Sequence, residues 1–315
     1  MYDTIKFNPV SFDTIVDKVS AITSTEKTYS VSAPVRHICN IDSYSEHGLG
    51  TLGKTVGFPA PFIRKVASTN KELANEVITD RVNHYFTDGR PEFFAREFLG
   101  KIQGIVSNRY AYFDDNKVMD VVGSSVLASF DFANALVTPE RLHLRAIDRN
   151  HPFHVGGDNS ELYFAYFVDN SMVGGSAFRV QLGIFRLACT NGMIVPVREC
   201  ILCKQVHRGQ KDIAAEFNDS VAFLAEKQDS IVELLRNTAG EKASIEELRE
   251  EFHKDYLAKK LNLNQKESEK VITLYQTTYG GGTKWAMAQA ITEFARDVKD
   301  INRRTYLERS AFKVA

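Results

Sequence analysis

Apolar residues recur with helical spacing early in the chain, alternate with polar ones in the middle, and return to helical spacing near the end. Residues 29 to 41, rich in Val, Ser and Ile, predict an edge strand, because Pro34 cannot donate to a ladder. From Leu49 to Tyr85 the spacing predicts short helices, broken at Gly57-Phe58-Pro59 and near Ser68-Thr69-Asn70, with Asn70 as an N-cap. Residues 92 to 113 predict two strands around Gly100, followed by a polar turn at Asp114-Asp115-Asn116 and a helix from Lys117 to about Leu127.

The middle of the chain is the clearest β region. Residues 161–168 and 177–186 are aromatic and β-branched, and the loop between them holds Asp169, Asn170 and Gly174-Gly175. This predicts an antiparallel hairpin. In its second strand Arg179, Gln181 and Gly183 alternate with Phe178, Val180, Leu182 and Ile184, so one face is polar and the other apolar. After Gly209, Phe217, Val221, Leu224, Ile231 and Leu235 recur at helical spacing, and Ser244 with Glu247 reads as a capping box. The fold class expected is α+β: a mainly antiparallel sheet from the 93–113 and 161–206 regions, flanked by helices, with a helical C-terminal section. Residues 1–208 form the α+β core and 209–315 the helical section, packed on it as part of the same body.

Composition adds constraints on function. A chain of 315 residues with 43% hydrophobic and 25% charged residues can bury a sizeable core. The net charge of −1 excludes a global pull toward polyanions, so any such site is a local patch. Residues 209–270 carry ten Lys/Arg against fourteen Asp/Glu, which leaves the remainder mildly basic. The first residues mix both charge signs and lead into no apolar stretch of signal-peptide length, and no run has the length of a membrane span. Four cysteines are too few for a secreted disulfide scaffold, so a reducing cytoplasm and no membrane are expected.

Several strings invite specific chemistry. Gly48-Leu49-Gly50-Thr51-Leu52-Gly53-Lys54-Thr55 fits the phosphate-loop pattern G-x-x-x-x-G-K-S/T. A working loop follows a buried strand and opens a long helix, whereas here six polar or aromatic residues precede it and Gly57, Pro59 and Pro61 cut the helix short. It reads as a small-residue helix packed closely on a neighbour. Cys200 and Cys203 stand three apart in a strand-like run and point to opposite faces; without a second pair they predict no metal site. His151 and His154, in a loop near Asp148 and Asp158, lack a nucleophile to serve. Cys189-Thr190-Asn191-Gly192 reads as a tight turn. Gly280-Gly281-Gly282 ahead of Lys284 and Trp285 could present amides to a phosphate, but Trp285, Ala288, Ile291, Ala295 and Val298 share one face, which marks a core helix.

Some of these segments carry a resemblance. Gly104-Ile105-Val106-Ser107-Asn108-Arg109-Tyr110, running on to Asp115-Asn116, resembles the "lSdRY...dn" signature of DUF932, a family of unknown function found in phage and plasmid proteins. Phe185 to Met193 resembles its "R-l-x-C-t-N-G" turn, His207-Arg208-Gly209 its "H-s-G" position, and Thr283-Lys284-Trp285 with Ala290 to Glu293 its "T-x-W...NA-v-T-e" helix. The resemblance runs from about Gly48 to Leu307. It implies a mobile genetic element and no set activity.

The function expected is nucleic-acid binding, in particular single-stranded DNA during replication or recombination. Basic and aromatic residues interleave on the predicted strands, and Lys101, Arg109, Tyr110, Tyr112, Arg179 and Lys284 are the residues expected to bind. Arg186, seven residues from Arg179, points to the opposite face. No catalytic residue, metal or cofactor is expected, and a homo-oligomer is compatible with the sequence. The alternatives are a nucleotide-dependent enzyme using residues 48–55 and a protein-binding factor acting on host defence.

Overall fold

Residues 9–31, 37–86, 92–110, 113–133, 135–155, 161–186, 191–194, 213–247 and 253–314 are described by a computed structural model of the chain. Helix α1 (Phe12–Thr23) is capped by the Ser11 hydroxyl and buries Ile15 and Val19, one turn apart. Strand β1 (Lys27–Ser30) precedes three helices, α2 (Glu46–Val56), α3 (Ala60–Ala67) and α4 (Lys71–Phe86). Their breaks fall where glycine, proline and asparagine demand: Gly57 ends α2 at φ 84°, and the Asn70 side chain accepts from Leu73 N at 3.0 Å. Strands β2 (Phe93–Phe98) and β3 (Lys101–Ser107) form a hairpin through Leu99 and Gly100, both at positive φ. With β1 they make a three-stranded antiparallel sheet, and α2 lies on β3.

The larger sheet begins after α5 (Asp115–Gly123). It contains β4 (Asp131–Phe132), β5 (Leu136–Thr138), β6 (Arg141–Phe153), β7 (Leu162–Asn170), β8 (Arg179–Arg186) and β9 (Asn191–Ile194). The order is β4-β6-β7-β8-β9, with β5 also pairing β6, and every pair is antiparallel. The β7–β8 hairpin forms as expected, although Asp169 and Asn170 belong to β7 rather than to its loop. Residues 93–107 do not join this sheet. Strand β6, thirteen residues long, and β8 occupy both edges of β7, so β2 and β3 pair with β1 instead.

One face of the larger sheet is apolar. Leu142, Leu144, Tyr166, Val168, Val180, Leu182 and Ile184 share a continuous core with Phe217, Val221 and Leu224 of α6 (Ile213–Glu226) and Leu235 of α7 (Gln228–Ala239). The same core takes Leu257 of α8 (His253–Leu261), Val271 of α9 (Gln265–Thr273) and Leu307 of α11 (Ile301–Val314). Each such side chain contributes about 1.5–3 kcal/mol on burial. Helix α10 (Lys284–Arg296) is buried almost all round: Trp285, Ala288, Ile291 and Ala295 are core, as their spacing predicts. Ser244 and Glu247 stand on a single 3-10 turn rather than at the start of an α-helix. Among the described residues no helix is long and apolar enough to cross a membrane.

A buried polar joint ties the two sheets together. Arg96 of β2 reaches Glu26, Asp114 and the Met172 carbonyl, and Asn170 Nδ2 donates to Phe113 O and Asp115 Oδ1. Burial pushes the Asp115 carboxyl up to about 7, against the Asn170 bond that favours the charged form. Since the folded form prefers the proton, this group's stabilising contribution is complete below the ordinary carboxylate range and is lost as pH rises to about 7. Holding the charged carboxylate in this buried position costs about 4 kcal/mol, offset by up to about 1 kcal/mol because Asp115 stands in the first turn of α5. Asp115→Asn is therefore expected to stabilise the protein by about 2–3 kcal/mol at pH 8 and hardly at all at pH 4, read by urea denaturation at both.

Candidate anion site

The opposite face of the larger sheet is polar along one half. Alternation along β6 puts Arg141, His143 and Arg145 on one side while Leu142 and Leu144 go to the core. Register places Asp169 of β7 beside His143 and Arg179 of β8 beside Asp169, with Gln181 next along β8. This polar face is not a solvent face: helix α11 lies on it. Glu308 accepts two bonds from Arg145 Nη2, at 2.7 and 2.9 Å, and Arg309 Nε donates to Gln181 Oε1 at 3.0 Å. Arg141 donates to Asn302 of the same helix. Leu307, Ala311 and Val314 turn the other side of α11 to the apolar core.

Asp169 is the hub of this layer and is fully buried. Arg141 Nη2 donates to it at 2.6 Å and His143 Nδ1 at 2.8 Å, while Arg309 Nη2 lies at 3.2 Å and Arg179 Nε at 4.0 Å. Burial alone would raise its pKa, but His143 and Arg141 outweigh it and hold the carboxyl well below the usual range. His143 is pulled down by burial, partly opposed by Asp169. Its neutral ring donates from Nδ1 to Asp169 and accepts at Nε2 from Arg145 Nε, at 3.2 Å. Glu308, also fully buried, accepts in addition from Arg304 Nε at 3.0 Å.

Five arginines, 141, 145, 179, 304 and 309, thus share two buried carboxylates. The surplus of positive charge is felt within the cluster. Burial lowers the Arg145 pKa, and burial followed by the neighbouring Arg179 pushes Arg309 down to about 10. Among the described residues this array has fewer carboxylates than guanidiniums, and guanidinium forks match the oxygens of phosphate or carboxylate.

The residues expected from the sequence are distributed differently. Arg179 belongs to the cluster, half-buried, with its guanidinium also on Ser176 Oγ at 3.3 Å. Arg109 is exposed in the turn after β3, away from regular strand. Tyr110 is half-buried, and its hydroxyl donates to Ser171 O at 2.7 Å. Lys101 donates to Asp42 O, and Lys284 pairs with Glu241 at 2.7 Å, so each is engaged locally. Arg186 stacks over the Tyr279 ring at 5.7 Å, on the other side of the sheet from Arg179. Tyr112 lies outside the described residues, as do Cys189, Cys200, Cys203 and His207. The phosphate-loop string is helix throughout, with Gly48 packed on β3 and the Thr55 hydroxyl donating to Thr51 O at 2.9 Å. His151 Nδ1 meets Asp148 Oδ2 at 2.8 Å.

The family described as domain of unknown function (DUF932) matches residues 103–312, two thirds of the chain. The chain belongs to this family. No curated protein and no solved structure matches it. The DUF932 match begins inside β3, later than the resemblance read from Gly48, so the phosphate-loop string falls outside it. Every residue of the arginine cluster falls within the DUF932 region.

Proposed function

We propose that this DUF932 protein binds single-stranded nucleic acid by its phosphates, at the layer where β6, β7 and β8 meet α11. The observation that carries the reading is the ratio of five clustered arginines to two buried carboxylates, in a chain whose overall charge is close to zero. A protein of net charge −1 that gathers more cations than carboxylates where one helix meets the sheet supports a local anion site rather than a diffuse one. Arg179, Arg304 and Arg309 keep part of their side chains open to solvent, which gives a strand access. Phosphate contact takes the leading role in place of stacking on Tyr110, whose hydroxyl is already bound. The resemblance to phage and plasmid proteins supports a role in replication or recombination of such an element.

A mobility-shift titration of pure protein with single- and double-stranded oligonucleotides at low salt tests the proposal. The single strand is expected to bind, and Arg309→Gln is expected to weaken it about tenfold, the size of one charged hydrogen bond. Absence of binding at low salt would overturn the reading and leave a protein partner as the better one.

A further inference from the structure

A cavity of about 240 Å³ opens beside the arginine cluster, between the start of β6 and the corner that joins α10 to α11. Its polar lining is His143, Arg145, Lys299 and Arg304, and Leu136, Val298 and Ile301 supply apolar wall. Glu308 pins both arginines from one side, taking Arg145 by Nη2 and Arg304 by Nε. Arg145 Nη1 and Arg304 Nη2 are shielded from solvent, and among the described residues neither has an acceptor. An N–H left without an acceptor is costly, more so on a charged group, so a small local shift that lets a ligand oxygen reach either nitrogen is favoured. Asp300, which stands between Lys299 and Ile301, does not supply it: its carboxylate caps α11 by accepting from Arg303 N at 2.8 Å. Nor does His143, whose Nε2 is already taken by Arg145 Nε.

Resting on the nucleic-acid reading, we propose that this cavity receives a terminal phosphomonoester of the strand. Size and charge lead to that class. At about 240 Å³ the cavity is smaller than the roughly 300–1,000 Å³ of pockets for drug-sized ligands, so it holds a phosphoryl group and part of a sugar but no run of nucleotides. Arg145 is almost fully buried, and a phosphodiester that reached it would bring chain in on both sides. A monoester has one ester link and enters end-on. It also carries a charge of about −1.5 to −2, against −1 for a diester, which suits two pinned guanidiniums and the Lys299 ammonium at the exposed rim.

The test is the affinity of one single-stranded oligonucleotide in three forms: phosphate at the 5′ end, phosphate at the 3′ end, and hydroxyl at both. Wild type, Lys299→Ala and Arg304→Ala are measured by fluorescence anisotropy, with folding checked by circular dichroism. Lys299 is exposed, so its variant keeps the test open should Arg304→Ala fail to fold. One phosphorylated end is expected to bind about tenfold tighter or more than the hydroxyl form, the advantage shrinking to about threefold or less in each folded variant. Equal affinities for the three forms, or an advantage that survives in the folded variants, would overturn the terminal-phosphate site and leave strand binding standing. Failure of all three to bind wild type at low salt would overturn both readings.

Discussion

Asp169→Asn is expected to destabilise the protein by about 3–5 kcal/mol, the cost of removing one partner from a buried ionic network. The residue is fully buried, and Arg141, His143, Arg179 and Arg309 all converge on it. Asparagine keeps the shape but takes away the charge, so the arginines then face one another with no carboxylate between them. Its amide N–H₂ also brings donors where Arg141 and His143 already donate. Removing a neighbouring cation should recover part of the loss: Asp169→Asn with Arg309→Gln is expected to be more stable than Asp169→Asn alone. Urea denaturation of the four members of the double-mutant cycle reads the coupling. A single variant within 1 kcal/mol of wild type, with no coupling, would mean that Asp169 does not organise the layer.

The second large effect is expected at Gly48. A Cβ there would lie 2.0 Å from the backbone oxygen of Ile102, which also accepts from Ser45 N at 3.0 Å. Neither backbone can yield without parting α2 from β3, so Gly48→Ala is expected to cost about 3 kcal/mol or more. Gly50, two residues on in the same helix, has open space where its Cβ would be. Gly50→Ala is therefore expected to stabilise by about 0.5–1 kcal/mol, through the ordinary cost of glycine inside a helix. Thermal melts of the two variants decide whether this glycine-rich string is built for packing. Opposite shifts support it, and equal shifts would contradict it.

Local signals in the sequence read well. The breaks between α2, α3 and α4, the Gly100 hairpin, the β7–β8 hairpin and the buried face of α10 follow from glycine, proline, capping side chains and period, and each depends on neighbours within a few residues. The pairing of sheets was not legible, because it is decided by which strand takes the free edge of β7. Strand β6, where no strand was expected, takes it, although Arg141-Leu142-His143-Leu144-Arg145 alternates a stripe of basic residues with leucines. What the stripe faces comes from a helix some 160 residues later, and nothing local announces that Glu308 meets Arg145. Arg179 was legible as a member of the polar face for the same reason of alternation. That this face is covered was not legible, because α11 brings its polar side chains to it from far along the chain.

The central claim is that phosphates are held at this arginine layer, and the salt dependence of single-strand affinity tests it most directly. The measurement is the slope of log affinity against log salt for wild type and Arg309→Gln. The account predicts a steep negative slope for wild type, shallower by about 0.7 in the variant, the counterion share of one single-strand phosphate. A flat wild-type slope, or the same slope in a folded Arg309→Gln protein, would contradict it.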